Sequence, residues 1–386
     1  MKAIVTGMIA TYPLGGVAWD YGQYAVGLEQ LGMDVFYLED TGAENYNPVK
    51  GEYGADCSVG IRFLQESLDQ FSPNLGKRWH FRALDNSTYG IGAAEFQRIV
   101  EKADLFLNVS GGTLLRDEYM RCPCKILIDT DPGWNHFVNY PKWDANPNWQ
   151  GTHGFRSHDH FFTYAERIGA NDCNLPDMGI HWHATRPPVV MECWEPSGQG
   201  TDWTTVMTWN NFRKPVEYQG RLYGSKEMEF PKVEQLPQHL PKSHFELAVG
   251  GNEAPTEHWR RLGWKVIDSH SVSRTMNDYR DYIQGSRGEF SVAKNLYTAT
   301  KSGWFSCRSA CYLAAGRPCV VQDTGFKDTI PTGEGLLTWT TLAEAQDAVR
   351  EIESDYAFHQ RRAREIAAEY FDAKRVIGDM LYTVGL

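Results

Sequence analysis

The stretch GWFSCRSACYLAAGRPCVV, residues 303–321, is the most informative part of the sequence. It reads as a tight turn, a helix over 310–315 that ends at Gly316, and a buried strand. Pro318 starts the apolar run Cys319–Val321, which leads into the polar sequence QDTG at 322–325. A turn, a helix and a strand in this order are typical of an α/β protein.

The start of this helix is a candidate phosphate site. The first N–H groups of a helix lack partners, and the positive end of its dipole attracts anions. We therefore expect Gly303, Ser306, Arg308 and Ser309 to contact a phosphate, although serine-rich helix starts also occur where nothing binds. The loop after the next strand adds three donor-site candidates, namely Asp323, Thr324 and Gly325.

Length and composition exclude several classes of protein. A chain of 386 residues favours two domains, and 42% hydrophobic residues without an apolar run of about 18 exclude a membrane span. The first residues, MKAIVTGMIA, do not resemble a signal peptide, so we expect a cytoplasmic protein. A net charge of −11 disfavours nucleic acid as a partner. We interpret the eight scattered cysteines as reduced thiols.

Strand and helix patterns alternate in both halves of the chain, which predicts parallel sheets. The predicted strands are 2–6, 34–38, 104–109, 125–128, 161–164, 204–209, 245–249, 265–267 and 319–321. The predicted helices are 19–31, 57–71, 310–315, 342–356, 359–370 and 373–382. The irregular segment 141–199 indicates a linker between two Rossmann-like domains, whose facing strand ends would form a cleft.

Several runs resemble a bacterial set of GT-B glycosyltransferase-like proteins. They are YPLGGVAWDYGQYAVGLEQLG at 12–32, DTDPG at 129–133, a long run at 279–318, QDTGF at 322–326 and PTGEGLL at 331–337. The resemblance implies an acceptor domain at 1–195, a nucleotide-sugar donor domain at 203–365, and a C-terminal helix at 366–386 that crosses back to the first domain. It also implies that the co-substrate is a nucleoside-diphosphate sugar.

One feature of the resemblance is missing. Retaining GT-B enzymes of the sucrose-phosphate-synthase type carry two glutamates around this helix, and alignment on Gly316-Arg317-Pro318 places Gly303 and Cys311 there. In those enzymes the pair handles the sugar and the ribose hydroxyls. The missing pair therefore leaves three alternatives open: a different contact with the donor, a different donor, or an altered stereochemical course.

Transfer of a sugar requires positive charge for the leaving diphosphate and, in an inverting enzyme, a base for the acceptor. Lys226 is the second cationic candidate after Arg308, with Arg213 and Lys214 as alternatives. Asp20, at the start of the first predicted helix, and Asp131, just past a strand end, are the candidate bases. We expect the acceptor to contact four residues of the first half, Gly15, Gly16, Trp134 and Trp182.

Metal ligands are a weaker interpretation. Asp129-Thr130-Asp131 matches the Asp-x-Asp pattern that holds manganese in GT-A enzymes. The pairs His158/His160 and His181/His183 have the spacing of residues that share one face of a strand, so each pair could bind a metal. We favour a metal-independent site, because the second half has its own phosphate-binding turn.

The sequence thus predicts a glycosyltransferase that moves a sugar to an unidentified acceptor. Two alternatives stay open: a catalytically altered nucleotide-sugar-binding protein and a GT-B epimerase. The number of subunits is not predicted.

Overall fold

A computed structural model describes residues 1–148, 152–198, 200–210 and 214–386 of the chain. Two parallel sheets dominate it. In chain order the strands are β1 (Lys2–Thr6), β2 (Asp34–Glu39), β3 (Asn45–Asn47), β4 (Glu52–Gly54), β5 (Trp79–Arg82), β6 (Thr88–Gly90), β7 (Leu105–Val109), β8 (Cys124–Asp129), β9 (His160–Thr163), β10 (His183–Ala184), β11 (Asp202–Thr208), β12 (Val216–Tyr218), β13 (Arg221–Tyr223), β14 (His244–Gly250), β15 (Lys265–Asp268), β16 (Gly288–Ser291), β17 (Cys319–Gln322) and β18 (Leu336–Trp339).

Helices cover the faces of these sheets, and their bounds are also given in chain order. They are α1 (Gly15–Gln30), α2 (Ser58–Phe71), α3 (Ala93–Val100), α4 (Tyr140–Ala145), α5 (Leu236–His239), α6 (Thr256–Arg261), α7 (Met276–Gln284), α8 (Asn295–Thr300), α9 (Cys307–Ala314), α10 (Leu342–Ser354), α11 (Tyr356–Tyr370) and α12 (Ala373–Thr383).

The first sheet has the order β10-β9-β8-β7-β1-β2-β5-β6, and every pair in it is parallel except β5 with β6. The chain continues from β1 to β2 on one side and later returns to β7 on the other. The loops after β1 and β7 therefore diverge at the carboxyl edge and leave a crevice there.

The second sheet has the order β15-β14-β11-β16-β17-β18, and all of its pairs are parallel. The order reverses at β11, which lies between β14 and β16. Small residues allow α9 to pack closely here, since Ala310, Ala314 and Ala315 are fully buried beside β16 and β17. The α/β fold with two Rossmann-like sheets is therefore confirmed.

The last helix, α12, crosses back and packs against α1 of the first half, as predicted. Gly27 of α1 lies against Ile377 and Ala373 of α12, and Val189 forms a bridge with Asp372. One hydrophobic cluster contains side chains of α1 together with side chains of α9 and α12. Because this core is shared, the predicted boundaries at 195, 203 and 365 stay predictions.

Most predicted elements differ from the structure by one or two residues. The largest difference is α1, which begins at Gly15 and not at Trp19, because the Gly15-Gly16 pair already adopts helical geometry. The prediction lacks the strands β3, β4, β5, β6, β10, β12, β13, β16 and β18 and the helices α3, α4, α5, α6, α7 and α8. Among the described residues no helix has the length and apolar character that crossing a membrane requires.

Helix α2 approaches the loop after β1 very closely, and this contact can be tested. A Cβ at Gly60 would overlap the carbonyl oxygen of Ala10, whereas a Cβ at Gly378 of α12 would meet nothing within 4 Å. We expect Gly60→Ala to lower the free energy of unfolding by about 1–3 kcal/mol, since backbone must move. Gly378→Ala, the matched control, should leave it equal or raise it by up to about 1 kcal/mol. Urea denaturation measures both, and equal values would contradict the close approach.

Candidate functional site

The amino end of α9 borders a cavity of about 30 Å³ at the carboxyl ends of β16 and β17. Among the described residues no acceptor is found for the N–H groups of Cys307, Arg308 and Ser309, which form the first turn. A cavity of this size holds one or two waters, so a diphosphate enters only when the surrounding loops separate. Predicted donor residues among its lining are Lys226, Ser306, Arg308, Ser309 and Thr324.

Lys226 brings a buried positive charge to this cavity. It begins a short 3₁₀ helix over Lys226–Met228, and its side chain has no ion pair or hydrogen bond among the described residues. Burial, and then the charges of Arg308 and Lys294, lower its pKa to about 7. A buried cation without a partner is costly, so an anion at this point would be stabilised.

Arg308 is already engaged by protein groups. Its Nε donates to Glu289 at 2.6 Å, its Nη1 to the carbonyl of Val206 at 2.7 Å and its Nη2 to Ser291 at 2.7 Å. Glu289 is completely buried. The guanidinium thus fastens α9 to β11 and β16, and the predicted contact with phosphate stays a prediction.

The two loops next to α9 form a rigid unit. The N–H of Gly303 donates to the carbonyl of Thr324 at 2.9 Å, and the Thr324 hydroxyl donates to the carbonyl of Trp304 at 2.6 Å. Asp323 accepts from the N–H of Gly325 at 2.8 Å and pairs with Lys327 at 2.8 Å. These groups interact with one another, and their predicted contact with the donor stays a prediction.

Asp20 lies opposite the amino end of α9. It is on the second turn of α1, and its carboxyl group hydrogen-bonds with the thiol of Cys307. Burial raises the pKa of Asp20 to about 6, and the Cys307 contact opposes the shift. A carboxyl group with such a pKa changes its protonation state near neutral pH, as a general base must.

Asp131 takes part in a contact between the two halves that the sequence did not reveal. Its carboxylate accepts from Lys294 Nζ at 2.9 Å and from the hydroxyl of Tyr297 at 2.5 Å. Trp304 Nε1 also donates to the carbonyl of Thr130 at 3.1 Å. The loop after β8 is therefore fastened to α8 and to the segment before α9.

Gly15 and Gly16 contact the second half of the chain. The N–H of Gly15 donates to the carbonyl of Ser273 at 2.7 Å, and a Cβ at Gly16 would touch the ring of Tyr279. This end of α1 is covered by the segment that leads into α7. The predicted acceptor contact would require this interface to open.

The two predicted tryptophans lie in different surroundings. Trp182 is 8% exposed, packs with Tyr140 and Phe161, and donates from Nε1 to the carbonyl of Asp177 at 2.9 Å. Trp134 is partly buried and packs against a hydrophobic cluster that includes Leu296 and Tyr297 of α8. Trp134 thus joins residues of the second half, whereas Trp182 belongs to a buried aromatic cluster of the first half. Of the alternative cations, Arg213 lies outside the described residues.

The Asp-x-Asp carboxylates are occupied by protein donors. Asp129 is fully buried and accepts from Asn135 at 2.6 Å and Thr163 at 2.9 Å, with His136 Nε2 at 3.0 Å. His158 is buried, and burial lowers its pKa to about 4. No group of three or more potential metal ligands occurs within the described part of the chain.

The role of Arg308 in folding can be separated from any role in binding. Arg308→Met would leave the carboxylate of Glu289 buried without its cation and should lower the free energy of unfolding by about 3–5 kcal/mol. Adding Glu289→Gln should recover part of this loss, because the charge is removed. Urea denaturation compares the two variants, and equal losses would show that the pair does not act as a unit.

Comparisons with known sequences do not establish a family for this chain. No protein-family model matches the chain. The phosphoribosylamine–glycine ligase of Pasteurella multocida is 26% identical over 149 residues, which are 37% of this chain and 33% of the ligase. The chain thus matches about a third of the length of that curated relative, too little to establish a family.

Solved structures match over nearly the whole chain. An α-glucosyltransferase in complex with UDP and a 13-mer DNA containing an HMU base has a TM-score of 0.56 at 9% identity, covering 100% of both chains. Anabaena HepE in complex with UDP and glucose also has a TM-score of 0.56, at 10% identity, covering 100% of this chain and 99% of its own. A glycosyltransferase of avilamycin A biosynthesis has a TM-score of 0.53 at 12% identity, covering 99% and 96%. At such identities the likeness concerns architecture, and this chain has the GT-B fold of glycosyltransferases.

Proposed function

We propose that the protein is a glycosyltransferase that moves a hexose from a nucleoside-diphosphate sugar to an acceptor bound between the two halves. The observation that carries this proposal is the ammonium group of Lys226, which is buried and unpaired among the described residues beside the first turn of α9. A diphosphate would supply the missing negative charge. HepE and the α-glucosyltransferase, which share the fold, are both described in complex with UDP.

In this proposal α9 and Lys226 stabilise the leaving group. Negative charge grows on the diphosphate as the bond to the sugar breaks, and fixed N–H dipoles and an ammonium group oppose that charge without reorganising. Closure of the two halves would exclude water and protect the donor from hydrolysis. The loops at 303 and 323–325 would enclose the rest of the donor.

Asp20 is the proposed base. It faces the amino end of α9 from the first half, where the acceptor would bind, and its raised pKa suits proton uptake near neutral pH. Asp131 is the less suitable candidate, because Lys294 and Tyr297 already stabilise its carboxylate. We further propose that no metal takes part, since the carboxylates of Asp129 and Asp131 have protein donors. The cytoplasmic location stays a prediction.

One observation favours a second candidate function, nucleotide-sugar binding without transfer. At the two positions where sucrose-phosphate-synthase-type enzymes carry glutamate, Gly303 lies against Arg167 and the Cys311 thiol accepts from Gln23 at 3.8 Å. Neither position offers a carboxylate to the donor.

A panel of nucleoside-diphosphate sugars, each incubated with and without a mixture of sugar alcohols, glycans and phenols, distinguishes these functions. Release of nucleotide that requires an acceptor supports transfer. Calorimetric binding of a nucleotide sugar without turnover would support the binding protein, and isomerised donor would support the epimerase. The absence of binding for UDP and for every donor would contradict all three.

Replacing Lys226 tests the diphosphate site directly. Lys226→Met should weaken UDP binding about 10- to 100-fold, because hydrogen bonds to a charged group contribute about 1.5–3 kcal/mol. The wild-type affinity should also fall as the pH rises through about 7, since the free lysine then loses its proton; this dependence should be weaker in the variant. Titration calorimetry measures both, with the exposed Lys242→Met as the matched control. Equal affinity in the two variants would remove Lys226 from the site.

The proposed base predicts a pH profile. Asp20 is protonated below its pKa of about 6, so kcat/KM should rise with pH through that value and fall again above about 7, where Lys226 loses its proton. Asp20→Asn should lower kcat by about 10²- to 10⁴-fold while UDP affinity stays unchanged. Steady-state kinetics with the acceptor found in the panel give both results, and Asp347→Asn, at an exposed position of α10, is the control. A variant that keeps its rate would exclude this role.

A further inference from the structure

Three tyrosines form a partly exposed patch on the first half of the chain, and none of them lines the cavity at α9. Tyr53 of β4 lies with its ring centroid 6.2 Å from that of Tyr12 and 5.2 Å from that of Tyr46. Tyr53 is 58% exposed, and the other two are partly exposed. We call Tyr12, Tyr46 and Tyr53 the tyrosine platform.

A buried carboxylate holds the platform in place. Glu39 is completely buried at the end of β2 and accepts from the N–H of Ala10 at 2.9 Å and from the N–H and hydroxyl of Thr11 at 2.5 and 2.6 Å. The carbonyl of Thr11 in turn accepts from the N–H of Tyr46 at 2.8 Å. The loop that carries Tyr12 and the hairpin that carries the other two rings are therefore one preorganised unit, which lowers the entropy cost of binding.

Tyr21 lies within electrostatic range of both the platform and the proposed base. Tyr21, next to Asp20 on α1, has its pKa raised by burial and by the charges of Asp20, Glu39 and Tyr12, so it lies within electrostatic range of all three. Asp20 itself touches Cys307 at the amino end of α9. Tyr21 therefore lies close enough to Asp20 and to Tyr12 for the charge of each to act on it.

We propose that the tyrosine platform is an acceptor subsite for a pyranose ring, so that the acceptor is a saccharide or a glycoside. The inference rests on the proposed function. The C–H face of a pyranose is apolar and its rim carries hydroxyl groups, which matches tyrosine rings with an apolar face and a polar tip. A nucleic acid would also stack on tyrosines, but a chain with a net charge of −11 repels a polyanion.

Saturation-transfer NMR on the full chain in the presence of UDP tests this inference with maltose, cellobiose and lactose as probes. At least one disaccharide should receive saturation at its ring C–H protons. Tyr53→Ala should lower its affinity at least fivefold, whereas Tyr53→Phe, which keeps the ring face, should retain most of it. Tyr382→Ala is the matched control, because Tyr382 is 86% exposed on α12, far along the chain from the platform.

The outcomes separate this inference from the proposed function. UDP binding without binding of any of the three disaccharides would overturn the platform and leave the donor site intact, whereas a wild-type chain that binds no UDP would overturn the proposed function itself. Disaccharide binding that survives Tyr53→Ala would also overturn the platform. So would Tyr53-dependent binding of p-nitrophenol or of a ten-nucleotide thymidine strand in preference to the disaccharides. An unchanged melting temperature of each variant shows that the fold is retained.

Discussion

The contact between α1 and α9 determines where both parts of the candidate site lie. Residues three apart on α1 and four apart on α9 share a face, so Asp20 meets Cys307 and, one turn further, Gln23 meets Cys311. The amide oxygen of Gln23 also accepts from the N–H of Val190 and from Trp194 Nε1, both at 3.0 Å. A cysteine at 311 is small enough for this packing. The absence of a glutamate at position 311 and the close approach of α1 and α9 thus belong together.

Two of the cations near the donor cavity are paired with carboxylates. Arg308 is paired with the buried Glu289, and Lys294 is paired with Asp131 from the other half. Each of these pairs joins segments that must stay together: α9 with β16, and α8 with the loop after β8. Lys226 differs because its pKa is lowered by burial and by the neighbouring cations. Among the described residues around this cavity, Arg308 and Lys294 are neutralised by protein carboxylates, whereas Lys226 has no such partner.

The sequence predicted the sheets well and the site only in outline. Strands such as Lys2–Thr6 are short apolar runs between turn residues, and that pattern is local. The contacts of Asp131 with Lys294 and Tyr297 join residues more than 160 positions apart, and no local sequence pattern predicts them. Trp182 shows a second limit of sequence reasoning: an exposed tryptophan that stacks on a ligand and a tryptophan buried in the core look alike in a sequence. Only packing against Tyr140 and Phe161 distinguishes them.

The position of the loop after β1, which carries Tyr12, depends on contacts within the first half of the chain. Glu39 and Asp40 follow one another at the end of β2, and both are completely buried. Asp40 is held by Arg116 at 2.6 and 2.8 Å and by Tyr119 at 2.8 Å, whereas Glu39 is held by groups of the loop after β1. Buried carboxylates are tolerated only when such donors surround them. The loop after β1 is therefore fixed from beneath by Glu39, through contacts that lie entirely within the first half of the chain.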